Sequence, residues 1–243
     1  VSVRLGFGVG VGRRRGVAYS PASETGLKLW IDGSTGLTGG VPTDLGPGGV
    51  VLSQATAGKR PTIGVADAGF NSRDVFVFDG VDDYLDVALD LTGLASFTAI
   101  AALKVAGGFA GIGGIFQDTT PFSNTLLVWN VPPVVVGQST NGSDLRGVAM
   151  DPTARASVYS STHVAASAAA YALRVDGTDQ TVLDYGGAMT NTALGNGCRI
   201  GDFFGGGFCL PMKLGALLVF APAISGAALA RVEAYLKARF ATP

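Results

Sequence analysis

A chain of 243 residues, 47% of them hydrophobic, can bury one large core without dividing into two domains. Its 17 basic and 18 acidic side chains leave a formal charge of −1, too few and too balanced to steer it toward nucleic acid or an anionic membrane. No apolar run reaches the roughly 20 residues of a membrane-spanning helix without glycine or charge, and a mean hydropathy of +0.38 predicts apolar surface covered by neighbouring subunits, most simply in a homo-oligomer.

The 37 glycines, with frequent Val, Thr and Ala, fit many short strands joined by tight turns, since glycine alone takes positive φ without a Cβ clash. Residues 1–22 form an extended N-terminal arm, and 23–243 the folded body. In the arm the apolar stretch precedes Arg13, Arg14 and Arg15, the reverse of a secretory signal, so no export signal is expected. The alternating glycines of Gly6–Gly12 cannot build a core alone. The arm therefore either packs on its own body or, the favoured reading, lies on a neighbour, with Arg4, Arg13, Arg14 and Arg15 pairing with carboxylates there and Phe7 as an apolar anchor.

Strands are expected at 27–32, 74–79, 84–87, 96–105, 115–117, 125–129, 146–150, 154–159, 170–175, 181–185, 198–201 and 212–220. Residues 33–62 should be a long connection. Asp176-Gly177 is the strongest hairpin signal. Ser225 then precedes one helix with Leu229, Val232, Leu236 and Phe240 on one face and Lys237 and Arg239 in its last turn. Cys198 and Cys209 flank a Gly-rich turn; their spacing permits a disulfide, but without an export signal two buried thiols are expected.

Four ordered segments carry a resemblance. They are Leu27-Lys-Leu-Trp-Ile-Asp-Gly-Ser34, Val77-Phe-Asp-Gly-Val-Asp-Asp-Tyr-Leu85, Arg174-Val-Asp-Gly-Thr178 and Lys213-Leu-Gly-Ala-Leu-Leu-Val-Phe220 with the helix after it. Together the set resembles the concanavalin A-like, laminin-G-like jelly rolls common in bacteriophage and bacterial surface proteins. The resemblance implies an all-β, two-sheet antiparallel sandwich closed by the C-terminal helix. It also implies a role as a non-enzymatic virion structural protein, in a tail, baseplate or capsid surface assembled in the host cytoplasm, with adhesion to a host-surface polysaccharide. A stand-alone bacterial lectin-like module is the alternative, and a glycosidase the third reading.

The residues bear on that choice. Glycosidases on this scaffold resemble one another in a Glu-x-Asp-x-x-Glu strand, whereas Glu24 and Glu233 are the only glutamates here. The lone histidine, His163, is expected in a solvated loop, with no nucleophile pattern around it. The Cys and His residues lack zinc-ligand spacing, and Gly6–Gly12 lacks the flanking strand and helix of a nucleotide loop. No cofactor is expected; calcium, if bound at the sheet rim, would draw on Asp82, Asp83, Asp118, Asn124 and Asp202, though Asp82-Asp83 is more simply a turn whose carboxylates cap local N–H groups. For a glycan, the aromatics nearest expected loops are Phe122, Trp129, Phe203 and Phe204, with Asn124, Asn141 and Asp202 beside them. Trp30, inside the first strand, is expected in the core.

Overall fold

The computed structural model describes residues 19–35, 37–118, 125–129, 135–139, 145–164, 171–185, 195–203 and 207–240. The arm residues Arg4, Phe7, Arg13, Arg14 and Arg15 lie outside the described residues. Among the described residues eighteen strands follow in chain order. They are β1 (Leu27–Asp32), β2 (Leu37–Thr38), β3 (Val41–Pro42), β4 (Leu52–Ser53), β5 (Thr62–Asp67), β6 (Arg73–Phe78), β7 (Leu85–Asp90), β8 (Ser96–Val105) and β9 (Ile112–Asp118); then β10 (Thr125–Trp129), β11 (Val135–Ser139), β12 (Leu145–Ala149), β13 (Ser157–Val164), β14 (Ala172–Val175), β15 (Thr178–Asp179), β16 (Leu183–Asp184), β17 (Asn196–Ile200) and β18 (Met212–Phe220). Helix α1 (Gly226–Phe240) comes last.

The strands form two large antiparallel sheets. One runs β15-β14-β13-β8-β18-β6-β5, with β1 also on β18; the other runs β16-β12-β11-β10-β9-β17-β7-β4. Their facing sides share one core that includes Leu29, Phe76, Leu103, Phe116, Leu126 and Leu217, the buried layer of a β-sandwich. The other side of the first sheet carries Ile100, Ala102, Val158, Ala216 and Leu218, packed under Leu229, Val232, Leu236 and Phe240 of α1. The all-β, two-sheet sandwich with a C-terminal helix is thus the architecture found. No helix among the described residues is long and apolar enough to cross a membrane.

Strand β18 is apolar on both faces because both faces are covered. Leu214 faces the inter-sheet core and pairs with Leu103, yet two residues on Ala216 pairs with Ala102, so Gly215 is an extra residue in the ladder. That bulge inverts the alternation: beyond it Leu217 and Val219 point inward and Ala216, Leu218 and Phe220 toward the helix. Glycine is required there, since a Cβ would lie 2.8 Å from the Phe240 ring. One edge of β18 pairs with β8; the other is divided between β6, along Met212–Leu214, and β1, along Ala216–Phe220.

Most expected strands are present, with ends displaced by a few residues. Three features differ. β5 lay unrecognised because Gly64 and a bulge with Ala66 at φ 40 interrupt its pattern. β11 follows Pro132-Pro133 and contains Gly137, whose Cβ position would overlap the Arg146 carbonyl of β12, so a glycine that reads as a turn is a close strand contact. The 33–62 connection holds the β2–β3 hairpin and β4. The Asp176-Gly177 hairpin is as expected: both residues have positive φ, 52 and 83, and Val175 pairs with Thr178, the type I′ pattern.

Two buried carboxylates tie α1 down. Arg174 Nε donates to Glu233 Oε1 at 2.9 Å, and Arg239 Nε donates to Asp32 Oδ2 at 2.6 Å. Replacing Phe240 with alanine removes the side chain that fills the Gly215 notch and should cost about 3–5 kcal/mol, measured as a lowered urea midpoint with an unchanged m-value.

Candidate functional site

Two tyrosine rings and a two-pronged ion pair converge on the surface beside the start of β1. Ser20 Oγ accepts from the Ala22 N–H and caps a single helical turn, Pro21–Ser23, which places Tyr19 and Glu24 against α1. The spacing 231, 234, 235 puts Arg231, Ala234 and Tyr235 on one helix face. With Tyr19 they line a shallow hollow of about 550 Å³.

Its parts hold one another in place. The Tyr19 and Tyr235 rings meet edge to face at 6.0 Å, and Tyr235 meets Trp30 at 6.1 Å and 86°. Trp30 itself is 9% exposed, in the core as expected. Arg231 grips Glu24 in a two-pronged bond, Nε to Oε1 at 2.7 Å and Nη2 to Oε2 at 2.9 Å, and Tyr19 donates to Glu24 Oε1 at 3.1 Å. The Arg231 bond is the main cause that holds the Glu24 carboxyl below its usual range. Burial, then the bond to Glu24, pushes the Tyr19 phenol up. Such a surface can stack against the apolar face of a ring and offer fixed donors and acceptors to hydroxyls.

The structure distributes the sequence-derived candidates differently. Phe122, Asn124, Asn141 and Phe204 lie outside the described residues. Trp129 is at the end of β10, its main chain paired with Val135 and Ile112. Asp202 and Phe203 are 0% and 1% exposed, so neither is presented to a ligand. The reason is that Asp202 and Leu210, expected beside a Gly-rich turn, lie against β9: a Cβ on Gly114 would be 2.4 Å from the Asp202 carbonyl, and one on Gly113 would be 2.7 Å from Leu210. Phe203 packs with Leu127 and Val135, and Asp202 bonds Arg199 at 2.9 Å.

At the β6–β7 turn Asp82 and Asp83 come together with Asp79, which sequence reasoning had passed over, within 4.8 Å. Asp83 accepts from the Asp79 N–H at 2.9 Å and Asp79 from the Val81 N–H at 2.8 Å, a turn held by its own carboxylates. Burial, with the nearby Asp79 and Asp82 charges, raises the Asp83 carboxyl. Asp118 closes β9, opposite Cys198 in the pairing. Cys198 and Cys209 are buried thiols that form no disulfide; burial first, then Asp202, pushes the Cys209 thiol up to about 12.

His163 is corrected. It sits in β13, 1% exposed, its ring 5.3 Å from Phe97. The Ser- and Thr-rich stretch around it suggested a loop, but pairing with β8 from Ser157 to Val164 draws it into the sheet. Burial lowers its pKa to about 4, so it is neutral at physiological pH.

No protein-family model and no curated protein matches the sequence. Solved structures do match. The binding domain of botulinum neurotoxin DC, in complex with SialylT, has a TM-score of 0.57 at 10% identity over 89% of this chain and 52% of that one. Botulinum neurotoxin type C, whose way into cells depends upon interaction with two ganglioside molecules, has a TM-score of 0.57 at 9% identity over 87% and 51%. Trypanosoma rangeli sialidase with 2,3-difluorosialic acid has a TM-score of 0.54 at 11% identity over 89% and 34%. The chain spans about half the length of the toxin domains and a third of the sialidase. At such identities the likeness is one of fold, a two-sheet β-sandwich.

Because Glu24 titrates lower in the folded chain than in the unfolded one, its bridge stabilises fully above the ordinary glutamate range and is lost as pH falls through the folded value. An NMR titration of the Glu24 carboxyl carbon should give a midpoint below 4.5, and Arg231→Gln should move it upward.

Proposed function

We propose that this chain is a non-catalytic glycan-binding module, the adhesive β-sandwich of a virion structural protein from a tailed phage or phage-like particle. The carrying observation is the hollow where Tyr19 and Tyr235 stand beside the Glu24–Arg231 fork, the pairing of ring faces with fixed polar groups that sugar recognition needs. Structural neighbours with SialylT, ganglioside and sialic-acid ligands support the same reading. The two glutamates, each held by an arginine, favour binding over hydrolysis. The virion role rests on the ordered resemblance and on the Gly- and Arg-rich composition of residues 1–22.

On a glycan array the chain should bind a defined subset of saccharides, and Tyr235→Ala should weaken that binding about tenfold through loss of ring stacking. Deleting residues 1–18, which keeps Tyr19 and Ser20, should abolish assembly in light scattering while leaving saccharide binding intact. A chain that binds no saccharide, or one unaffected by Tyr235→Ala, sinks the adhesive reading. Unchanged assembly after the deletion would leave a stand-alone lectin-like module.

A further inference from the structure

A second hollow, of about 530 Å³, opens beside the ends of β8 and β18, bounded by Asp67, Gly69, Lys104, Gly107, Thr153 and Lys213. Its charges are unbalanced for a structural reason. Lys104 lies directly opposite Lys213 in the antiparallel pair, and like charges so placed, about 5 Å apart at Cβ, repel. One carboxylate answers them. Asp67, at the end of β5, accepts from Lys213 Nζ and from the Gly69 N–H. Burial would raise the Asp67 carboxyl, but those bonds and the Lys213 and Lys104 charges outweigh it and hold it low.

Lys104 has no such partner among the described residues. Asp151, whose carboxyl also feels Lys104, turns Oδ1 to the N–H and hydroxyl of Thr153 at 2.8 and 2.6 Å. The lining thus carries two ammonium groups against one carboxylate. Its walls are tied in place, with the Val105 N–H on the Pro152 carbonyl at 3.1 Å and the Ala106 N–H on the Pro211 carbonyl at 2.8 Å.

We propose that this hollow binds the carboxylate or sulfate of an acidic saccharide, with Lys104 as the principal cation and Lys213 shared between the ligand and Asp67. The anion follows from the charge imbalance; its saccharide origin rests on the glycan-binding reading above. The site is separate from the tyrosine hollow, whose lining residues are different.

Glucuronate and glucose test this on the intact chain, because they share a ring and differ in a carboxylate against a neutral hydroxymethyl group. Glucuronate should shift the NMR signals of the Lys104 and Lys213 side chains, and glucose should not. Lys104→Gln should weaken glucuronate about tenfold, the loss of one charged hydrogen bond. Asp67→Asn should tighten it, added salt should weaken it, and Tyr235→Ala should leave it unchanged, so this site and the tyrosine hollow stand or fall independently. Sodium sulfate shifting the same signals while glucuronate does not would assign the hollow to a free inorganic anion and overturn the saccharide. No shift with either, in a chain that melts at a single cooperative transition, overturns the site.

Discussion

Both hydrophobic layers close on strand β18. Its inward side chains complete the core between the sheets and its outward ones receive the helix, so every residue from Leu214 to Phe220 is out of water. A strand buried on both faces cannot alternate polar with apolar, and β18 must also change register once to serve β6 and β1 along the same edge. Gly215 supplies that change and at the same point leaves room for Phe240. The bulge, the helix position and the division of the edge are therefore one constraint.

The candidate surfaces inherit their order from this arrangement. Tyr235 and Arg231 belong to a helix pinned by Asp32 and Glu233 through arginines, and Lys104 and Lys213 belong to the two strands most deeply integrated in the first sheet. Side chains on such supports are held in place before a ligand arrives, which cuts the ordering cost of binding. Polar groups on strands paired at both edges cannot drift apart as loop residues can.

The architecture was legible because its signals are local and redundant. Ten apolar-rich residues at 96–105, the Asp-Gly hairpin and the apolar stripe of the helix each specify their element without help from the rest. What escaped depends on contacts distant in sequence. His163 looks polar and exposed until β8 is laid beside it; Gly137 looks like a turn until β12 approaches it; Asp202 and Phe203 look like a loop tip until β9 is laid against them. The tyrosine hollow was hidden for the same reason, since it joins Tyr19 and Glu24 to a helix near the other end of the chain. Its one sequence clue, Arg231 and Tyr235 at helical spacing, fits an ordinary solvated face equally well.

The tandem pairing of β1 and β6 on β18 has a consequence for synthesis. Asp32 pairs with Ala216 and Leu27 with Phe220, so β1 has its partner far downstream in the chain. During translation β1 and the apolar edge of β6 wait without their hydrogen-bonding neighbour until residue 220 leaves the ribosome. Pairings so distant form slowly, and exposed strand edges recruit other chains in the interval. Yield at high expression should therefore depend on how many unfinished chains meet one another, more than on how stable the completed sandwich is.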